Sequence, residues 1–121
     1  MIGRSSRVAL AALALALALA SCGYQTLDEA ICPPAGTKLT YANFGQAFFG
    51  GNCNSCHSAE TKNRKGAPEN YVFATRAGII ANKDRIFTES AGGNDSMPPG
   101  PDDPAREERD KLAEWLVCGA P

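Results

Sequence analysis

Three observations predict an all-α fold of three to four helices for this chain of 121 residues. Apolar side chains recur at helical spacing in separate stretches around Phe44, Ile79 and Trp115, and loop-forming residues divide those stretches. No segment shows the period-two alternation of a half-buried strand over a useful length, and no internal repeat is present. The motif Cys53-Asn54-Ser55-Cys56-His57 directly follows the first stretch, so two thiols and an imidazole fall within about one helical turn.

Residues 1–21 read as an export signal of the lipoprotein type. Arg4 and Arg7 form its basic start. Val8 to Ala20 is an unbroken apolar run of about 13 residues, the length of a signal core, whereas a spanning helix needs about 20. The run ends in Leu19-Ala20-Ser21-Cys22, which resembles the lipobox of bacterial lipoproteins. That resemblance implies cleavage before Cys22 and acylation of its thiol and new amino group. Ordinary cleavage nearby, leaving Cys22 free, is the competing reading. The remaining chain is one small domain of about 100 residues. Without Arg4 and Arg7, 10 basic side chains face 13 acidic ones, a net charge of −3 that argues against a general nucleic-acid binder. Acyl chains on Cys22 would hold the domain at a membrane surface, because two or more chains anchor stably where one does not.

Residues 22–38 are expected to be a tether, since Gly23 to Lys38 lacks periodicity and contains Pro33-Pro34-Ala35-Gly36; residues 39–121 form the domain. Thr40 is the expected N-cap of a helix carrying Tyr41, Phe44, Gly45, Phe48 and Phe49, which Gly50-Gly51 ends just before the cysteine motif. Glu60 to Glu69 is polar, with Gly66 and Pro68, and reads as irregular loop. After the apolar cluster Tyr71, Val72 and Phe73, Thr75 caps a helix holding Ile79, Ile80, Ile86 and Phe87, broken near Asn82. Ala91 to Asp103 is loop. Asp103 as N-cap and Pro104 at the first helical position start the last helix, whose buried face is Leu112, Trp115 and Leu116 and whose stop is Gly119 with Pro121. The acids Asp102, Asp103, Glu107, Glu108 and Asp110 suit the positive end of that helix.

Cys-x-x-Cys-His is the attachment signature of c-type haem. Two thiols one turn apart can add across the two vinyl groups of one porphyrin, and the next residue, His57, is then forced under the iron as proximal ligand. A structural zinc site would want two more Cys or His at a second short spacing, but His57 is the only histidine and Cys22, Cys32 and Cys118 are scattered singly. A thioredoxin-like dithiol would want a strand before the motif, and none is patterned there. One covalent haem c is therefore the expected cofactor. It gives a marginal core a large apolar body to wrap, so the chain without haem should be poorly folded.

With haem attachment, an aromatic first helix and a late Met-Pro, residues 38–121 resemble a monohaem class I cytochrome c. Gly45 and Phe49, eight and four positions before Cys53, match the Gly and aromatic pair of that family's N-terminal helix. Leu112, Trp115 and Leu116 match the stripe of its C-terminal helix, and in the family these two helices cross. The resemblance implies that the Pro68 carbonyl accepts the proximal His57 ring N–H, fixing the tautomer and tuning the ligand. A simple loop proline is the alternative.

Bis-histidine ligation within one chain is excluded, and once Met1 leaves with the signal Met97 is the only methionine. In Ser96-Met97-Pro98-Pro99 it resembles the family's distal ligand, and its polar, proline-rich surroundings do not suit a gap-filling core residue. His57 and Met97 on the iron would raise the reduction potential and leave no open position. The implied function is one-electron transfer between a redox-protein donor and acceptor at the periplasmic face of a bacterial membrane, not catalysis. Phe48 and Phe87 are expected to shield the haem.

Two alternatives stay open: a haem-based gas or redox sensor, or small peroxidase, with a dissociable sixth ligand beside Gly92 and Gly93, and a structural lipoprotein in which Cys53 and Cys56 are bridged. Cys32 and Cys118 remain as an even pair, which suggests a disulfide in an exported protein, against two buried free thiols. Lys62, Arg64 and Lys65 read as a solvated loop rather than a docking patch.

Overall fold

The computed structural model describes residues 26–121; the export signal, the lipobox and Cys22 lie outside the described residues. Among the described residues the chain is helical, with no strand, and no helix is long and apolar enough to cross a membrane. A 3-10 turn at Leu27–Glu29 comes first. A π-helical turn, Tyr41–Gly45, then runs into α1, Gln46–Asn52, and α2, Asn54–His57, follows after a break at Cys53. Next come α3, Arg76–Ala81, and α4, Lys83–Ser90, also separated by one residue, and finally α5, Arg106–Val117.

Thr40 caps the first helical unit reciprocally: its hydroxyl accepts from the Asn43 N–H at 3.1 Å, and the Asn43 side-chain oxygen accepts from the Thr40 N–H at 2.7 Å. The turn that follows is wide, the Gly45 N–H reaching back five residues to the Thr40 carbonyl at 3.1 Å. A Cβ on Gly45 would stand 2.6 Å from Cη2 of Trp115, so the backbone touches the indole as only glycine allows. Trp115, Phe49, Phe87, Ile79, Leu112 and Leu116 are fully buried, and Phe44 meets the indole edge-on at 6.0 Å between ring centroids.

Gly50 and Gly51 do not end α1 as expected. Both are exposed, neither has a positive φ, and the helix passes through them to Asn52. The interruption falls at Cys53 itself, φ −124°.

The break near Asn82 is where periodicity placed it, with the Asn82 side chain donating to the Gly78 carbonyl at 2.9 Å. The Thr75 hydroxyl caps α3 by accepting from the Gly78 N–H at 3.1 Å. The last helix starts later than expected: Ala105, not Asp103, precedes its first turn, and no side chain caps it. Asp103 and Pro104 serve Arg109 instead, through a carboxylate 4.0 Å from Nη2 and a carbonyl that accepts from Nε at 3.3 Å. At the other end Gly119, φ 92°, donates to Leu116 at 3.0 Å and Ala120 donates to Trp115 at 2.8 Å, a Schellman closure.

The described part of the expected tether is docked to the domain. Leu27–Glu29 lies against α4 and α5, Leu27 and Ala30 pack on the core, and the Thr37 hydroxyl donates to Glu114 at 2.6 Å. Cys32 and Cys118 are bridged across 86 residues, worth up to about 4–5 kcal/mol in the chain-entropy model.

Gly45→Ala should destabilise the protein by about 1–3 kcal/mol, the cost of overpacking a filled core. Gly50→Ala, facing open space in the same helix, should be neutral or stabilising by up to about 1 kcal/mol. Denaturant unfolding of both variants checks the contrast, and equal effects would contradict the Gly45–Trp115 contact.

Candidate cofactor site

The end of the first helical unit opens onto a cavity of about 530 Å³, within the range of cofactor pockets. Cys53, Cys56, His57 and Met97 all line it, among Phe48, Phe49, Tyr71 and Phe73. Because α2 restarts after Cys53, the His57 N–H reaches the Cys53 carbonyl at 3.0 Å and the whole motif occupies one turn. Cys53 and Cys56 are both free thiols, not a bridged pair.

His57 is fixed from three sides. Its carbonyl accepts from the Phe73 N–H at 2.8 Å, and its ring stacks on Phe73 with centroids 4.6 Å apart. Nδ1 lies 2.9 Å from the Tyr71 carbonyl. A carbonyl oxygen can only accept, so Nδ1 carries the proton and Nε2 keeps a lone pair for a metal.

The expected partner was the Pro68 carbonyl, and here the structure differs. Pro68 lines the cavity, but its carbonyl accepts from Arg64 Nη2 at 2.6 Å. Tyr71 takes the role because the chain returns to α2 at Phe73, whose N–H binds the His57 carbonyl, and the Tyr71 carbonyl two residues earlier faces the imidazole.

Arg64 also donates to the carbonyls of Ser58 at 3.0 Å, Ala67 at 3.2 Å and Tyr71 at 3.3 Å. It is therefore the organiser of the loop after the motif rather than a freely solvated charge. Of the two aromatics expected to shield a haem, Phe48 lines the cavity, whereas Phe87 is wholly buried in the core and its neighbour Ile86 takes the cavity wall.

Met97 is 42 % exposed, although its backbone is tied down at both polar atoms. Its N–H donates to the Glu89 carbonyl at 2.9 Å and its carbonyl accepts from Arg109 Nη1 at 2.7 Å. A methionine serving as core filler would show the opposite pattern, a buried thioether. Arg109, Tyr71 and Arg64 were not among the expected site residues. Arg109 was detectable: it precedes Leu112 by three positions and Leu116 by seven, which puts a charge in the register of the buried face.

Cys53 packs against the aromatic core, and burial pushes its thiol up to about 12, with the Arg109 guanidinium pulling weakly the other way. A thiol so held is not a nucleophile at neutral pH. Among the described residues no three His, Cys, Asp or Glu side chains gather as metal ligands, so the motif has no further donors of the zinc kind around it. The donors present fit a covalently held haem: two free thiols, one imidazole nitrogen and one thioether around a largely apolar cavity.

No family model matches the chain, and no curated protein or solved structure is significantly similar to it.

Where the pocket forms without haem, contrary to the expectation that the chain without it is poorly folded, Cys53 should alkylate slowly at pH 8 and quickly once denaturant is added. The folded thiol keeps its proton to about pH 12 and an unfolded one only to about 9.0, so stability is complete below pH 9 and declines as pH rises toward 12. Cys53→Ala removes that part of the decline in denaturant titrations at stepped pH. Rapid alkylation before denaturation would show that the pocket forms only around its cofactor.

Proposed function

We propose that this protein is an exported monohaem cytochrome c of the class I kind, an electron carrier and not an enzyme. One observation carries the reading: both thiols of the motif, an imidazole with its Nδ1 proton already engaged, and Met97 line a single cavity. The small crossing residue Gly45 against Trp115 of the last helix also agrees with the family pattern.

Each residue has a distinct task. Cys53 and Cys56 would hold haem c through thioethers, each formed by adding S–H across a vinyl group, at Cys53 before the fold closes over its buried thiol. His57 would offer Nε2 to iron, and its Nδ1–H bond to Tyr71 sets the ring's orientation and basicity. Met97, which lines the same cavity, would offer its sulfur as the second ligand, and a thioether there would favour the ferrous state. Haem so bound supplies reversible one-electron chemistry. Phe48, Phe49 and Phe73 line the cavity and would exclude water from the group, which with His57 and Met97 as its two ligands would exchange electrons at its exposed edge.

The lipobox resemblance supports a lipid anchor at Cys22 on the periplasmic face. Leu27 is already docked, so about 18 Å of extended chain at most separates it from that anchor, and the domain stays near the membrane. Its partners are redox proteins that donate and accept single electrons. The exposure of Met97 favours one alternative, a gas or redox sensor or a small peroxidase with a dissociable sixth ligand.

The test is an optical spectrum of protein produced with a cytochrome c maturation system. Haem that survives acid–acetone extraction, with the far-red band of Met sulfur on ferric iron, is expected. Met97→Ala should lose that band, lower the potential and bind carbon monoxide. Covalent haem without the band in the wild type would transfer the case to the sensor or peroxidase reading, and absence of haem would overturn it.

A further inference from the structure

Arg109 is 3 % exposed, a charged side chain inside the core of a small domain. An apolar residue would complete the stripe of Leu112 and Leu116 without the cost of desolvating a cation. The burial therefore calls for a reason beyond packing, and the hydrogen bonds supply it. Nη1 donates to the carbonyls of Ser90 at 3.0 Å, Asn94 at 3.2 Å and Met97 at 2.7 Å, while Nε donates to Pro104 at 3.3 Å. Those four carbonyls run from the end of α4, along the connecting loop, to just before α5. Nη2 is buried without a hydrogen-bond partner, with the Asp103 carboxylate 4.0 Å away.

The loop so gathered has few apolar anchors, and its other ties are polar: the Gly92 N–H donates to the Arg109 carbonyl at 2.8 Å, the Asn94 side chain to the Phe87 carbonyl at 3.0 Å, and Ser96 and Met97 both donate to the Glu89 carbonyl. Between Ala91 and Pro104 only Ala91 is an apolar core residue, and Gly92, Gly93 and Gly100 lower the cost of other conformations. Met97 is the point of the loop where the guanidinium makes its shortest bond, and that bond fixes the backbone of a side chain left facing the cavity.

We infer that Arg109 is the positioning residue of the sixth-ligand loop: its guanidinium, by binding the Met97 carbonyl and both ends of the loop, keeps the thioether on the iron and closes the iron to outside ligands. The inference rests on the cytochrome reading above. It assigns the difference between an electron carrier and a ligand-binding haem protein to a residue outside the cavity lining, which reaches Met97 only through its main-chain carbonyl. Lysine would keep the charge but, with its donors at one point, cannot bridge Ser90, Met97 and Pro104 together.

Arg109→Gln and Arg109→Lys in the haem-loaded protein test it, with Trp115 fluorescence and near-ultraviolet circular dichroism as controls for folding. Arg109→Gln should weaken the far-red band and raise carbon monoxide binding by the ferrous protein on the order of tenfold or more, the equilibrium equivalent of one lost charge-assisted hydrogen bond. Arg109→Lys should fall between it and the wild type. If both variants fold and keep the full band while excluding carbon monoxide, the inference is overturned and Met97 ligation stands. A shifted potential with an intact band would mean that Arg109 acts by charge alone, which also overturns it.

If the wild type itself lacks the band and binds carbon monoxide as Met97→Ala does, the ligation reading fails first and the inference falls with it. Hydrogen exchange in the wild type needs no variant: the Met97 amide should be strongly protected, and exchange at the rate of an open loop would count against the assignment.

Discussion

The approach of the Trp115 indole to the backbone of Gly45, with Cη2 2.6 Å from where a Cβ would stand, governs where everything else in the molecule can lie. It sets the first helical unit against α5 at a separation no side chain permits. Cys53 follows Gly45 by eight residues along a nearly continuous helix, so the crossing places the cysteine motif. Arg109 precedes Trp115 by six residues on α5, so the same crossing places the group that gathers the Met97 loop. The two halves of the site thus share one mechanical reference.

Neither His57 nor Met97 is held by a long helix. His57 ends a one-turn helix and is braced by the return of the chain at Tyr71 and Phe73; Met97 lies on an irregular loop. Loops that line a cavity carry backbone carbonyls that must find donors, or their burial costs free energy. Two guanidinium groups meet that need. Arg64 binds the carbonyls of Ser58, Ala67, Pro68 and Tyr71, and Arg109 binds those of Ser90, Asn94, Met97 and Pro104. Arginine suits the task because its donors diverge from a rigid plane and reach several acceptors at once. Arg64 and His57 Nδ1 also share the Tyr71 carbonyl, which makes that oxygen a weaker acceptor for the imidazole and so links the order of the loop to the setting of the ring.

The N-terminal segment adds a second fastening. The disulfide between Cys32 and Cys118 joins it to the end of α5, Thr37 bonds Glu114 on the same helix, and the turn at Leu27–Glu29 covers α4. Together with the Schellman closure at Gly119 and the Arg76 bond to the Ala120 carbonyl at 2.7 Å, this makes α5 the most heavily braced element.

Local chemistry made much of this legible from the amino-acid sequence alone: the helical class, the Thr40 and Thr75 caps, the break at Asn82, the buried Leu112, Trp115 and Leu116, and the grouping of thiols and imidazole at the motif. Each depends on residues within a turn or two of one another, where spacing and capping chemistry suffice. Tertiary structure alone decided the matters that turn on distant partners. Gly50 and Gly51 continue a helix because the core holds it on both sides, and Asp103 gives up its capping role to face Arg109. The proximal hydrogen bond goes to Tyr71 rather than Pro68, and the supposed tether is packed and bridged. Hydrogen bonds between a buried guanidinium and main-chain carbonyls follow no sequence period, since every residue offers the same carbonyl and only the path of the chain selects which ones face inward.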